Sequence, residues 1–196
     1  MAKNIAIIIG SIRKQRKGHQ VAEWIHDQLK PLADKQGAAL EVVDLAKYQL
    51  PIHDGSPAIM TQLKGKGEEG EGHEYPDDKV NAWSRTIRSH DGYVFVTPEY
   101  NAGIPSPLKA ALDHIYHEFA GKPALIVSYG GPGRGASSGQ QLATVLKAVK
   151  LNVAEQQVNI AAASRARGPN APVDDETRDT WSVDDVVTAW DSFSKL

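Results

Sequence analysis

Between Val94 and Ile115 the sequence VFVTPEYNAGIPSPLKAALDHI joins a short β-branched and aromatic run to a stretch of apolar residues at helical spacing. Val94 to Val96 has the composition of a buried parallel strand, and Thr97-Pro98 closes it because proline has no ladder donor. Pro105 and Pro107 then hold the backbone near the start of a helix, on which Leu108, Ala111, Leu112 and Ile115 share one face. A polar, aromatic loop, Pro98-Glu99-Tyr100-Asn101, is thereby clamped between two rigid elements at a sheet edge. On local grounds Glu99 and Asn101 either satisfy the backbone of a tight turn or face a ligand, and the rest of the chain must separate these readings.

The same strand-and-helix unit recurs along the chain. Asn4 to Ile9 is a continuous aliphatic run, as in a central parallel strand covered on both faces, and it stops at Gly10-Ser11. A basic loop from Ser11 to His19 leads into a helix carrying Val21, Ala22, Trp24, Ile25 and Leu29. Leu40 to Leu45 reads as the second strand, Val80, Trp83 and Ile87 as a helix, Pro123 to Ser128 as the fourth strand, and Gln141 to Val149 as a helix. Asn152 to Ile160 supplies the last strand and Trp181 to Leu196 a closing helix. Five strands interleaved with helices predict one α/β domain over residues 1–196, a doubly wound parallel sheet of order 2-1-3-4-5 with helices on both faces. Residues 53–76 interrupt the plan. Their GKGEEGEGHEY segment is too polar to pack and is expected to form a mobile surface insertion, with no metal site because His53 and His73 lack ligand spacing.

Composition removes several function classes. The 22 Lys and Arg residues nearly balance 24 Asp and Glu, so no nucleic-acid groove is announced, and with no cysteine there is no thiol nucleophile or thiolate metal site. The apolar run near the start is too short to span a bilayer and lacks a cleavage pattern, which predicts a cytoplasmic protein without membrane association.

Three loops remain at one sheet edge. Gly130 and Gly135 have the P-loop separation but are followed by Ala136-Ser137, so the phosphate-binding lysine is missing. The first loop lacks the three glycines of a dinucleotide fingerprint. One loop is basic, one carries Glu-Tyr-Asn, and one is mostly backbone, a combination suited to a phosphorylated planar ligand such as FMN.

The segments GSIR after the first strand, PEYNAGIPSPLKAALD after the third and SYGGPGRGA after the fourth resemble the NADPH-dependent FMN reductase family of flavodoxin-like proteins. The resemblance spans nearly the whole chain. It implies that Ser11, Arg13, Lys17, Gly18 and His19 hold the FMN phosphate and that Pro98, Glu99, Tyr100 and Asn101 line the isoalloxazine ring. Ser128, Tyr129, Gly130 and Gly131 would face the other ring edge. It further implies an enzyme using NADPH or NADH as reductant and a small-molecule electron acceptor in ping-pong alternation, with the flavin rather than any side chain carrying the chemistry. A homodimer or homotetramer is the expected assembly, with Ile104, Ile115 and Tyr116 candidates for the subunit contact. The rival class is a non-enzymatic flavodoxin-like electron carrier or redox-sensing module, disfavoured by the balanced charge. A phospho-receiver of the same fold is disfavoured further, because Gly10-Ser11 replaces an acidic pair and Thr97-Pro98 stands where a phospho-accepting Asp would be expected.

Overall fold

A computed structural model describes residues 3–52, 75–162 and 172–196. Most of the expected 53–76 insertion, with His53 and His73, lies outside the described residues. The chain alternates β1 (Asn4–Ile9), α1 (Gly18–Lys35), β2 (Ala39–Asp44), a 3-10 turn (Leu45–Lys47), α2 (Asp78–Arg88), β3 (Gly92–Pro98), α3 (Ser106–Asp113) and β4 (Pro123–Gly130). There follow α4 (Ala136–Ala148), β5 (Asn152–Val153), β6 (Val158–Ala161), α5 (Asp175–Arg178) and α6 (Val183–Phe193).

All strands pair in parallel in the order β2-β1-β3-β4-β5, the doubly wound order read from the sequence. The last strand needs correction. Asn152 to Ile160 is split: β5 pairs with Pro123 and Ala124, while β6 pairs with Val127 to Gly130. The intervening Glu155-Gln156-Gln157 offers the core no apolar side chain and leaves the ladder.

Residue parity assigns each strand side chain to a layer. Ile5, Ile7, Ile9, Val94, Val96, Leu125 and Val127 pack beneath α1 and α6, whereas Ala6, Ile8, Tyr93, Phe95, Ala124 and Ile126 pack beneath α2, α3 and α4. Every residue from Ile5 to Ile9 is at most 1% exposed, which is why that run is aliphatic throughout. Helix α1 buries Val21, Ala22, Ile25, Leu29 and Ala33. It stops at Gly37, whose φ of +68° lets the Gly37 and Ala38 N–H groups close back on Asp34 and Ala33.

Two further expectations change. The closing helix starts at Val183, where Ser182 Oγ accepts from Asp185 N at 3.1 Å. Trp181 lies outside it, edge-on to Trp24 with ring centroids 5.1 Å apart. Ile115 is not a surface residue available to a second subunit: it is 1% exposed, on the same inward stripe as Leu108 and Ala111.

Below the amino ends of β3 and β4 sits a buried polar cluster. Glu118 Oε1 accepts from Ser84 Oγ (2.6 Å), Tyr75 OH (2.8 Å) and Arg88 Nη2 (3.3 Å). Burial opposes ionisation of this carboxyl, but the hydrogen bonds and Arg88 outweigh it and hold its pKa below the ordinary value.

Candidate functional site

The carboxyl ends of β1, β3 and β4 carry the three loops singled out above, and side chains tie them together. Gly10 N donates to Val96 O at 2.9 Å as the chain leaves β1. Ser11 is fully buried, and its hydroxyl shares a 2.7 Å hydrogen bond with Tyr100 OH. The Arg13 guanidinium lies 5.2 Å from the centre of the Tyr100 ring, so the first and second loops touch through two contacts. Arg16 turns inward, only 10% exposed, to pair with Asp44 at the end of β2. His19 is half exposed, 3.8 Å from the same carboxylate.

Helix α1 begins at Gly18 with Lys17 as N-cap, no side chain capping it and no acidic residue in its first turn. Its first backbone bond runs from Val21 N to Lys17 O at 3.2 Å. The Gly18, His19 and Gln20 N–H groups precede that bond, at the positive end of an eighteen-residue helix. Partial burial lowers the Lys17 amine pKa against the opposing pull of Asp174.

The loop after β3 is held more tightly than its sequence announces. Tyr100 and Gly103 exchange backbone hydrogen bonds at 2.9 and 3.0 Å around Asn101 and Ala102, whose φ values are +51° and +61°. Asn tolerates this left-handed turn, whereas Ala102 is strained in it. Two side chains strap the loop to α4: Gln141 Oε1 accepts from Ile104 N at 2.7 Å, and Glu99 Oε2 accepts from Ser137 N (3.0 Å) and Ser138 N (3.3 Å). Glu99 thus fills the N-terminus of α4, whose own N-cap, Gly135, has no side chain to offer.

The third loop is built on close backbone contact. Gly135 has φ +79°, and a Cβ there would meet Tyr129 N at 2.6 Å. Ser128 lies beneath the loop, fully buried, its hydroxyl donating to Asn159 Oδ1 at 2.7 Å. Tyr129 does not turn toward the third loop. Its side chain belongs to the α1 layer, and a Cβ at Gly18 would stand 2.9 Å from its hydroxyl. Burial drives the phenol pKa far above the usual tyrosine range, with Tyr100 adding to the effect.

The structure therefore brings Ser11, Arg13, Lys17, Gly18, His19, Tyr100 and the phenol of Tyr129 to the head of α1. It places Pro98 and Glu99 beside Tyr129 and Gly130. Ser128 and the Glu99 carboxylate are spent on internal bonds. Arg16, Asp44 and Gln141 are structurally essential here and were missed as site residues. Arg16 stood in the basic run and Asp44 closed a predicted strand, but only the fold shows that they pair; nothing local marked Gln141.

Whether the site suits a flavin phosphate is tested by what it lacks. Among the described residues, three buried side-chain polar atoms have no hydrogen-bond partner, and two of them, Tyr129 OH and Arg16 Nε, flank this loop. Free helix N–H groups, an exposed guanidinium and these two donors call for an acceptor with negative charge. The donor set fits a phosphate.

Comparison with known proteins agrees with this geometry. Residues 3–165 match the NADPH-dependent FMN reductase family. An NAD(P)H-dependent FMN reductase of Saccharomyces cerevisiae is 41% identical over 153 residues, 76% of each chain. Another, from a Nectria species, is 33% identical and covers 100% of this chain and 97% of its own. Among solved structures, the flavoenzyme NAD(P)H:(acceptor) oxidoreductase of Paracoccus denitrificans superposes with a TM-score of 0.69 at 21% identity, covering 99% of this chain and 98% of its own. An oxidised flavodoxin from Bacillus cereus gives 0.53 at 14% identity over 98% of this chain and 97% of its own, which speaks for the fold alone. Fold, loop chemistry and similarity over four-fifths of its length converge: the chain belongs to the NADPH-dependent FMN reductase family.

Proposed function

We propose that this chain binds FMN across the three loops and uses it to pass reducing equivalents from NADPH or NADH to a small-molecule acceptor by ping-pong alternation. The observation that carries the reading is the uncapped, donor-rich head of α1, where Tyr129 OH and Arg16 Nε are buried without partners. Bound FMN supplies the hydride and electron chemistry, with quinones, free flavin, azo compounds or metal ions as candidate acceptors.

The protein's part is to bind and orient. The Gly18, His19 and Gln20 N–H groups, Ser11, Arg13 and Lys17 would hold the phosphate. Pro98 to Asn101 would form one wall of the ring site, and the Gly130 and Gly131 backbone its other edge. Glu99 already occupies the head of α4, which supports α1 as the anion seat. The part-buried Ser11–Tyr100 bond joins the first and second loops and the Gln141 strap ties the second to α4 before any ligand arrives, the preorganisation a ring-stacking site needs.

A homodimer or homotetramer is part of the proposal. One observation in its favour is a hollow of about 400 Å³ beside α3 and α4, where Ile52, Ile104, Ala110 and Val145 alternate with Ser106, Lys109, Asp113 and Gln141.

The test separates the two half-reactions. FMN-loaded protein mixed anaerobically with NADPH or NADH alone should lose its yellow colour, and a quinone added afterwards should restore it. Bleaching only when a separate reductase is supplied would favour the electron-carrier reading and refute this one.

A further inference from the structure

We infer that the Tyr129 phenol is a phosphate-recognition group which selects FMN over riboflavin, kept without a partner in the ligand-free fold. The inference rests on the FMN reading above and assigns to that site a side chain that the sequence places at the ring.

Tyr129 is the penultimate residue of β4, and its side chain lies in the α1 layer with its hydroxyl beside Gly18. The residue is 5% exposed and its hydroxyl has no hydrogen-bond partner. Ser11 lies close enough to bias the phenol toward ionisation, but no hydrogen bond of good geometry joins the two, and the Ser11 hydroxyl shares its 2.7 Å bond with Tyr100 OH. Arg16 Nε, in the loop above, is equally buried and equally unpaired, although the other end of that guanidinium is anchored on Asp44. Both orphan groups can donate, and no acidic residue in the first turn of α1 answers them.

An unpaired buried hydroxyl works against folding, so a phenylalanine would serve the core better at this position. What justifies the oxygen is an acceptor arriving from outside. The Ser11 to Arg16 segment beside the phenol is anchored on Asp44 through Arg16, while its internal ties are long: Arg13 N to Ser11 Oγ at 3.5 Å and Arg16 Nη1 to Arg13 O at 3.3 Å. A phosphate oxygen at the helix end then gains a neutral donor from below as well as the N–H groups and Arg13. Riboflavin, ending in a hydroxyl, gains far less from the same donor.

The experiment compares wild type and Tyr129→Phe in three measurements: FMN affinity, riboflavin affinity, and urea unfolding of the flavin-free protein. Tyr129→Phe should weaken FMN binding roughly tenfold or more, leave riboflavin affinity within about twofold, and leave the flavin-free protein as stable as wild type or more so. Inorganic phosphate should raise the unfolding midpoint of flavin-free wild type more than that of the variant. Equal weakening of FMN and riboflavin, unchanged FMN affinity, or a less stable flavin-free variant would each overturn the inference while leaving the FMN reading intact. Wild type that binds no FMN would instead refute the reading beneath it.

Discussion

Replacing Glu99 tests how the ring-facing loop is built. Its carboxylate accepts from Ser137 N at 3.0 Å and Ser138 N at 3.3 Å, closing a helix whose N-cap glycine cannot. Loss of a side-chain cap costs about 1 kcal/mol, and loss of a negative charge at a helix N-terminus adds about 0.3–1 kcal/mol. Glu99→Ala should therefore destabilise the flavin-free protein by about 1.3–2 kcal/mol. A chain of this size loses about 2–4 °C of Tm per kcal/mol, so a fall of about 3–8 °C is expected. Glu99→Gln keeps an acceptor oxygen and drops only the charge, so it should cost about 0.5 kcal/mol, and less at high salt. Neither change should unfold the domain, since Ser138 Oγ still ties α4 to Pro98 O at 2.9 Å. Urea unfolding followed by circular dichroism measures both. A Glu99→Ala variant as stable as wild type, or a Glu99→Gln variant as weak as Glu99→Ala, would refute the capping role.

Three other changes follow from particular contacts. Arg13→Ala should weaken FMN binding by about 1.5–3 kcal/mol, the range for a charged hydrogen bond, with little effect on unfolding of the flavin-free protein; unchanged affinity in a fluorescence titration would place the phosphate elsewhere. Gly135→Ala introduces a Cβ 2.6 Å from Tyr129 N in a left-handed conformation, so it should destabilise the fold by at least about 2 kcal/mol and disturb the third loop; an unshifted denaturation curve would refute this. The Glu118 pKa is depressed below its ordinary 4.5, so its contribution is fully present above that value and is lost as pH falls through the lower folded value. The stability gap between wild type and Glu118→Gln should accordingly hold from neutral pH down to about 5 and shrink in the acid range below. A gap that stays constant throughout that acid range would contradict it.

What could be read in the sequence was whatever depends on local pattern. The aliphatic run from Ile5 to Ile9 announces a strand covered on both faces because every position in it is buried, and the Pro-rich passage to Leu108 announces a strand, a turn and a helix in order. Ligand-like loops were visible because glycines and basic residues cluster after predicted strands. What escaped was side-chain direction. Tyr129 sits beside Gly130 in sequence, but strand parity sends its ring to the α1 layer, a fact that needs the sheet's register. Glu99 was balanced between turn satisfaction and ligand contact; it satisfies backbone, but that of a helix beginning 37 residues later, at Ala136. Ile115 was given both to the apolar face of Leu108 and Ala111 and to a subunit contact, and at 1% exposure only the first can hold. The split of the last strand at Glu155 to Gln157 was hidden for the opposite reason: flanking β-branched residues outweighed three polar ones.

The most direct test of the site is a crystal structure of the protein with FMN. The phosphate should lie within hydrogen-bond distance of the Gly18, His19 and Gln20 N–H groups and the Arg13 guanidinium, with the ring against Pro98 to Asn101. A phosphate seated instead on the third loop at Gly131 to Ser137, or a ring distant from Tyr100, would contradict it.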